Sequence, residues 1–219
     1  MSIHNYTFGP PRGGWPEFDE NGRIVVKSER TAVVVLGPEA SGTRMITEFC
    51  IRAGFFGDSG HGQRLDYLEF DAAPDKIVFR RSLPHAGAWP DLLDIHSRLE
   101  KANYTNIHYI FVFRDPRYNV LAQLRVGHVR EAKQGYENIL RALNHSWEAF
   151  QILDVEPLVV VYEQWVKSEE LRDVIAAVLG VETPEMEFYN ANDKYNANSV
   201  PPSQKLDAIY TLARKLRII

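Results

Sequence analysis

Short apolar runs alternate with helical patterns along most of this chain, and that alternation limits its fold more than any other feature. The runs are rich in Val, Ile, Phe and Tyr, and they lie at residues 32–36, 76–79, 109–113 and 158–162. Consecutive apolar positions are typical of a strand that is buried on both faces. Strands that alternate with helices predict an α/β fold of three layers, in which helices flank a central, mostly parallel sheet.

Apolar residues at helical spacing fill the intervals between these strands. Helices are predicted at residues 46–53, 89–99, 118–125, 131–153, 168–179 and 203–216. Residues 1–30 are rich in Gly, Pro and aromatic residues and are interpreted as an N-terminal decoration. Residues 31–219 are predicted to form a single domain, as the length allows.

Composition excludes several classes of protein. The chain has 25 basic and 29 acidic residues, a net charge of −4 that argues against a nucleic-acid binder. The longest apolar runs have five residues, far fewer than the roughly 20 that cross a bilayer. The first residues do not resemble a secretory signal, so no membrane span and a cytoplasmic location are expected. Cys50 is the only cysteine and is predicted to be a core thiol.

The strongest candidate for a binding site is the loop after the first strand. Residues 37–44 read Gly-Pro-Glu-Ala-Ser-Gly-Thr-Arg, and a predicted helix follows them. Glycines let successive N–H groups turn toward one point, and a helix N-terminus adds partial positive charge. The G-x4-G spacing matches the start of a P-loop, although Thr43 and Arg44 stand where nucleotide hydrolases have Lys and then Ser or Thr. The loop is either an anion cradle or a turn needed only for packing.

A basic stretch adds weight to the anion interpretation. Residues 98–141 contain eight Lys and Arg residues against four acidic residues. Such a stretch can bind a small anion, or it can simply be the solvated face of a helix. Both interpretations stay open at the level of sequence.

Three strand ends together resemble the sulfotransferases that use 3′-phosphoadenosine 5′-phosphosulfate (PAPS). Residues 38–44 are similar to the loop that holds the donor's 5′-phosphosulfate, and the Gly-Thr-Arg ending is most like the branch that acts on sugars. The third strand ends in Arg-Asp-Pro, similar to the family's strand whose arginine binds the 3′-phosphate. Tyr162 and Glu163, with the Leu-Gly segment at 179–180, resemble a further strand end and closing segment. The resemblance covers residues 32–181 and implies a divergent member, of bacterial or viral type.

The resemblance assigns roles residue by residue. It implies donor binding by residues of the cradle, by the strand-end arginine and by the following helix: Pro38, Ala40, Ser41, Gly42, Thr43, Arg44, Arg114 and Ala122. It also implies that PAPS is the co-substrate and that no metal is needed. The acceptor is expected to be a small molecule or a carbohydrate.

This chain departs from the family pattern at two positions. The family has a lysine in its first loop, but here Ala40 lies near that position and no lysine occurs between Lys27 and Lys76. The family's helix serine corresponds to Ala122. Candidates for the missing charge are Arg44, Arg80 and Arg81, and candidates for the missing hydroxyl are Asn119 and Gln123.

Acceptor chemistry is expected after the second strand, at residues 79–85. His85 follows Arg80, Arg81 and Ser82. Histidine has an ordinary pKa of about 6.5, which suits it to remove a proton from an acceptor hydroxyl at neutral pH. His85 is either this base or a loop-packing residue, and Arg80 and Arg81 either touch the sulfonate or form structural ion pairs. Carboxylates serve as the base in the sugar-sulfating branch, and the candidates are Asp58, Asp66 and Asp91.

The resemblance therefore implies an enzyme that transfers a sulfonate from PAPS to a hydroxyl or amine. Two alternatives remain. A P-loop small-molecule kinase would require Mg-ATP and a Lys-Ser/Thr pair in the cradle, which Thr43 and Arg44 contradict. A non-catalytic binding protein that kept the fold would explain the missing lysine and serine.

Overall fold

The computed structural model describes residues 29–57, 67–85, 87–201 and 203–219. Its centre is a five-stranded sheet in which every neighbouring pair of strands is parallel, in the order β2-β3-β1-β4-β5. The strands are β1 (Arg30–Pro38), β2 (Phe56–Gly57), β3 (Lys76–Leu83), β4 (Tyr104–Phe113) and β5 (Leu158–Val161). The α-helices are α1 (Thr43–Arg52), α2 (Leu92–Lys101), α3 (Pro116–Arg125), α4 (Ala132–Leu153), α5 (Tyr162–Trp165), α6 (Glu169–Val178) and α7 (Gln204–Lys215). A 3-10 turn covers Tyr67–Ala72 and another covers Ala197–Ser199.

The sheet separates two apolar clusters. Side chains alternate along β1, so that Val33 and Val35 face one side while Val34 and Leu36 face the other. Helices α1 and α6 cover the first side, and α2, α4 and α7 cover the second. Every residue from Ala32 to Leu36 is fully buried, which confirms the prediction of strands that are covered on both faces.

The strand order creates a crevice at one edge of the sheet. From β1 the chain adds β2 and β3 on one side, and it then crosses over to add β4 and β5 on the other. In open α/β sheets, ligands bind beyond the carboxyl ends of the strands where this direction reverses. That point lies between β1 and β4, and it is where the cradle loop begins.

The α/β prediction is confirmed, and the differences are local. β2 has only two residues, too few to give a periodic pattern, and was not predicted. β4 begins at Tyr104 rather than near residue 109, and its first half pairs with β1. This half was not predicted, because the polar residues Thr105, Asn106 and His108 interrupt the apolar pattern. Tyr162, predicted to end a strand, begins α5.

Other sequence predictions have mixed outcomes. Cys50 is fully buried, and burial raises the pKa of its thiol to about 12, so the prediction of a core thiol is confirmed. The division at residue 31 stays a prediction, because residues 1–28 lie outside the described part of the chain. Within the described residues, no helix is long and apolar enough to cross a bilayer.

Candidate functional site

The register of the sheet brings the predicted site segments to one edge. Gly37 lies beside Ser82 and Pro38 beside Leu83, so the cradle and the end of β3 are neighbours. Phe113 lies beside Val161, which places Arg114 next to Tyr162 and Glu163 at the adjoining strand ends. The three segments that were singled out in the sequence therefore meet at the carboxyl edge, on both sides of the crevice.

The cradle is a tight turn that leads directly into α1. Within it Ser41 N donates to Pro38 O at 3.0 Å, and Ala40 and Gly42 have positive φ angles of 62° and 104°. Among the residues that the structure describes, no side chain caps the N-terminus of α1. The first N–H groups of a helix have no partner within the helix, so this end of α1 suits an anion.

Two buried side chains shape the cradle from behind. Ser41 is fully buried, and its Oγ has no hydrogen-bond partner within the described part of the chain. Gly42 lies against the ring of Tyr162, and a Cβ at Gly42 would be only 2.5 Å from Tyr162 Cδ2. Glycine is therefore required here both by the backbone angle and by the close approach of the ring.

Arg114 joins the cradle to a distant loop. It is 5% exposed, and its Nη1 donates to Ala40 O at 2.8 Å. Its Nε and Nη2 both donate to Asn192 Oδ1, at 2.8 and 2.5 Å. The strand-end arginine that the sequence singled out is thus at the cradle, but three of its five N–H groups already have protein acceptors.

Tyr162, Glu163 and Tyr195 complete the surroundings of Arg114. The Tyr162 ring centroid is 4.8 Å from Arg114 Cζ, and the Tyr195 centroid is 5.7 Å from it. Glu163 Oε1 accepts from Asn192 Nδ2 at 2.8 Å and from Asp115 N at 3.1 Å. Burial lowers the pKa of Arg114, and the nearby Tyr162 and Glu163 partly offset that effect.

Helix α3 begins immediately after Arg114 and is firmly anchored. Asp115 caps it by accepting from Arg117 N at 2.9 Å, and its other oxygen accepts from Arg117 Nη2 at 2.9 Å and from Tyr210 Oη at 3.0 Å. Because these groups stabilise the carboxylate, the pKa of Asp115 is lowered in spite of burial. The end of β4 is therefore a rigid base for Arg114.

Ala122 is buried in α3, and the two proposed substitutes for the family serine lie beside it in the helix. Gln123 Nε2 donates to Asn119 Oδ1 at 2.5 Å, and both side chains are almost completely buried. Asn119 Nδ2 and Gln123 Oε1 have no hydrogen-bond partner within the described residues. Ala122, Asn119 and Gln123 as contributors to a phosphate site stay a prediction.

The acceptor-side residues surround the end of β3. Ser82 Oγ is 3.2 Å from His85 Nδ1, and His85 and Ala88 pair through two backbone hydrogen bonds. Arg80 and Arg81 point to opposite faces of the sheet, because they are consecutive in a strand. Arg81 Cζ lies 3.8 Å from the centroid of the Phe79 ring. The two arginines therefore do not form one cluster.

Of the three candidate carboxylates, one lies within the described residues. Asp91 caps α2 by accepting from Leu93 N and Asp94 N at 3.0 Å. Asp58 and Asp66 lie outside the described residues. Within the described part, no group of three or more His, Cys, Asp or Glu side chains could hold a metal ion.

Comparisons with known proteins add one likeness. No protein-family model matches the chain, and no curated protein matches it. Among solved structures, it is similar to the sulfotransferase domain from the Synechococcus PCC 7002 olefin synthase. That match has 14% identity and a TM-score of 0.49, and it covers 93% of this chain and 92% of the other. The fold described above stands on the strand order and the register.

Asn192 contacts Arg114 but was not singled out by the sequence analysis. It lies in the irregular segment between α6 and α7, and it is 4% exposed. A buried asparagine in a loop needs polar partners, but its partners Arg114 and Glu163 lie 78 and 29 residues away in sequence. No local pattern could have identified it.

Proposed function

We propose that this protein is a sulfotransferase, which transfers a sulfonate from PAPS to a hydroxyl or amine of a small molecule or carbohydrate. The observation that carries the proposal is the uncapped N-terminus of α1 at the switch point of a parallel sheet, with Arg114 beside it. A phosphosulfate is an anion, and such a helix end is an anion site. The sequence resemblance supplies the choice of donor.

In this proposal the cradle and α1 bind the charge on the donor. The N–H groups at the start of α1 stabilise the phosphosulfate and, during transfer, the charge that develops on the bridging oxygen. Arg44, exposed in the first turn of α1, is the best placed of the three arginines to replace the family lysine. Arg81 is less suited, since its guanidinium stacks on Phe79 and Nη1 donates to Arg80 O.

The acceptor is proposed to approach from the end of β3. Its oxygen attacks the sulfur in line, the bond from sulfur to the 5′-phosphate oxygen breaks, and the acceptor proton passes to His85. The products are the sulfated acceptor and adenosine 3′,5′-bisphosphate. The contact between Ser82 Oγ and His85 Nδ1 orients the ring and supports the assignment of Nε2 as the proton acceptor.

Two observations favour a second candidate, a non-catalytic protein that binds an anionic ligand in the same cradle. Arg114 donates three of its N–H groups within the protein, to Ala40 and Asn192, and the loop has no lysine. A binding protein needs only the cradle. It would bind the bisphosphate and would transfer nothing.

Calorimetric titration of adenosine 3′,5′-bisphosphate without metal tests the proposal, with Mg-ATP titrated in parallel. Micromolar binding of the bisphosphate and little binding of Mg-ATP are expected, and the reverse preference would instead indicate a kinase. Arg44→Gln should weaken bisphosphate binding. Arg52→Gln, in the last turn of the same helix, is the matched control and should bind normally.

Incubation with radiolabelled PAPS and a panel of carbohydrates and small alcohols then separates the enzyme from the binding protein. Transfer of label to an acceptor by the native protein, and no transfer by the His85→Ala variant, would support the enzyme. Tight bisphosphate binding without transfer to any acceptor supports the non-catalytic candidate.

A further inference from the structure

Asn192 stands between a buried cation and a carboxylate. Its Oδ1 accepts from Nε and Nη2 of Arg114 at 2.8 and 2.5 Å, and its Nδ2 donates to Glu163 Oε1 at 2.8 Å. Asn192 is 4% exposed and Arg114 is 5% exposed. The amide orientation follows from its partners, because the oxygen must face the guanidinium and the nitrogen must face the carboxylate.

A carboxylate would be the usual partner for such an arginine. Arg and carboxylate form a bidentate, charge-assisted pair that satisfies both groups. Here Glu163 is close enough to reach Asn192, yet the contact with Arg114 is made by a neutral amide. The carboxylate of Asp115, the next residue, is bonded to Arg117 and Tyr210.

We propose that Asn192 is a positioning residue that holds Arg114 at the cradle without neutralising its charge, so that the charge serves an anionic group of the bound ligand. The inference rests on the proposed function, since it assumes that the cradle binds an anion. It goes beyond that function by assigning a role to a residue of the irregular segment after α6.

Further positive charges around Tyr195, three residues after Asn192, agree with this role. Arg114, Arg125 and Lys194 all lie around the ring of Tyr195, with charged groups 5.7, 6.0 and 5.3 Å from its centroid. Gathering like charges is unfavourable unless an anion joins them. A neutral Asn192 preserves this positive region, whereas a carboxylate at the same position would cancel part of it.

Moving the carboxylate tests the proposal. The double variant Asn192→Asp with Glu163→Gln keeps the net charge, and a reoriented amide at 163 can donate through Nε2 to the new carboxylate at 192 while its oxygen accepts from Asp115 N. Its melting temperature should remain within a few degrees of the native value. Its affinity for adenosine 3′,5′-bisphosphate and for inorganic pyrophosphate should fall about tenfold, since Arg114 is now paired directly.

Glu163→Gln alone is the matched second variant. Both bonds to Glu163 are made by Oε1, so the amide oxygen of glutamine can accept them unchanged. Removing a negative charge near Arg114 should strengthen binding of both anions by on the order of threefold at low salt. This measurement tests the premise that the charge of Arg114 serves the anion, and it does so even if the double variant does not fold.

Each outcome has a definite meaning. Native affinity in the folded double variant, or unchanged or weaker binding in Glu163→Gln, would overturn the role of Asn192. If the native protein binds pyrophosphate but not the bisphosphate, the proposed function fails, and the same variants still test Asn192 with pyrophosphate. If the native protein binds neither anion, both proposals are overturned.

Discussion

An arginine lies over a tyrosine ring at each end of the sheet, partly buried at one end and buried at the other, and the two differ in the groups that accept their hydrogen bonds. At the start of β1, Arg30 lies over the Tyr104 ring, 4.1 Å from its centroid, and donates to the carbonyls of Phe70, Ala73 and Ala102. At the end of β4, Arg114 lies over the Tyr162 ring and donates to Ala40 O and to Asn192.

The difference lies in the acceptors. Arg30 donates to three backbone carbonyls, and its Nε lies 3.6 Å from the carboxylate of Asp75. Arg114 donates to one backbone carbonyl and to the neutral amide of Asn192, which leaves its charge to serve an anion. We therefore expect Arg30 to contribute to stability alone, and Arg114 to contribute to both stability and ligand binding.

The largest expected effect is that of Arg30→Ala. The substitution leaves several carbonyls without a donor, so the free energy of unfolding should fall by about 3–5 kcal/mol. Urea denaturation measures this loss, and Arg52→Ala is the control. Arg52 has an exposed helix pair with Glu48, whose removal should cost no more than about 0.5 kcal/mol. A loss below about 1 kcal/mol for Arg30→Ala would show that its network contributes little.

Gly42→Ala tests the packing of the ring that lies beneath Arg114. The new Cβ meets Tyr162 Cδ2 at 2.5 Å and the backbone has a positive φ, so a loss of about 2–4 kcal/mol and loss of bisphosphate binding are expected. Gly54→Ala is the matched control, since Gly54 has a φ of +96° and, among the described residues, no neighbour would lie within 4 Å of its Cβ. It should cost only about 1 kcal/mol and bind normally. Equal losses in the two variants would mean that the ring contact is unimportant.

Arg114→Ala addresses the comparison directly. Its removal should lower the free energy of unfolding by about 2 kcal/mol, and should weaken bisphosphate binding by about 1.5–3 kcal/mol, the range for a charged hydrogen bond. Calorimetry and urea denaturation on the same sample measure both quantities. If stability falls while binding is unchanged, Arg114 is a structural residue like Arg30 and does not belong to the ligand site.

The sequence analysis predicted those features of the fold and the site that depend on local sequence patterns. The apolar runs identify four of the strands because burial on both faces requires apolar residues at consecutive positions, and the cradle is visible because its glycines follow one of these runs. Arg114 was singled out because the Arg-Asp-Pro segment after a strand resembles the sulfotransferase motif. The surroundings of both arginines were not predictable, since Arg30 is bonded to Tyr104 and Arg114 to Asn192, 74 and 78 residues away. Only the packed fold brings such partners together.

The smallest expected effects come from removing the two tyrosine hydroxyls, which leaves both rings in place. Tyr104 Oη accepts from Arg30 Nη2 and donates to Pro74 O, both at 2.8 Å. Tyr162 Oη accepts from Ala191 N at 2.8 Å and donates to Tyr189 O at 3.4 Å. Tyr104→Phe should therefore cost about 1 kcal/mol of stability and leave anion binding unchanged.

Tyr162→Phe should show the opposite balance. The lost hydroxyl fixes the backbone immediately before Asn192, so the loss of stability should be smaller than in Tyr104→Phe, while bisphosphate affinity falls by roughly threefold as Asn192 holds Arg114 less firmly. The pair is compared by urea denaturation and calorimetry under identical conditions. If both variants lose stability equally and both bind normally, the two tyrosine hydroxyls have the same, purely structural role. The contrast between the two ends of the sheet would then have to rest on the acceptors of Arg114 alone.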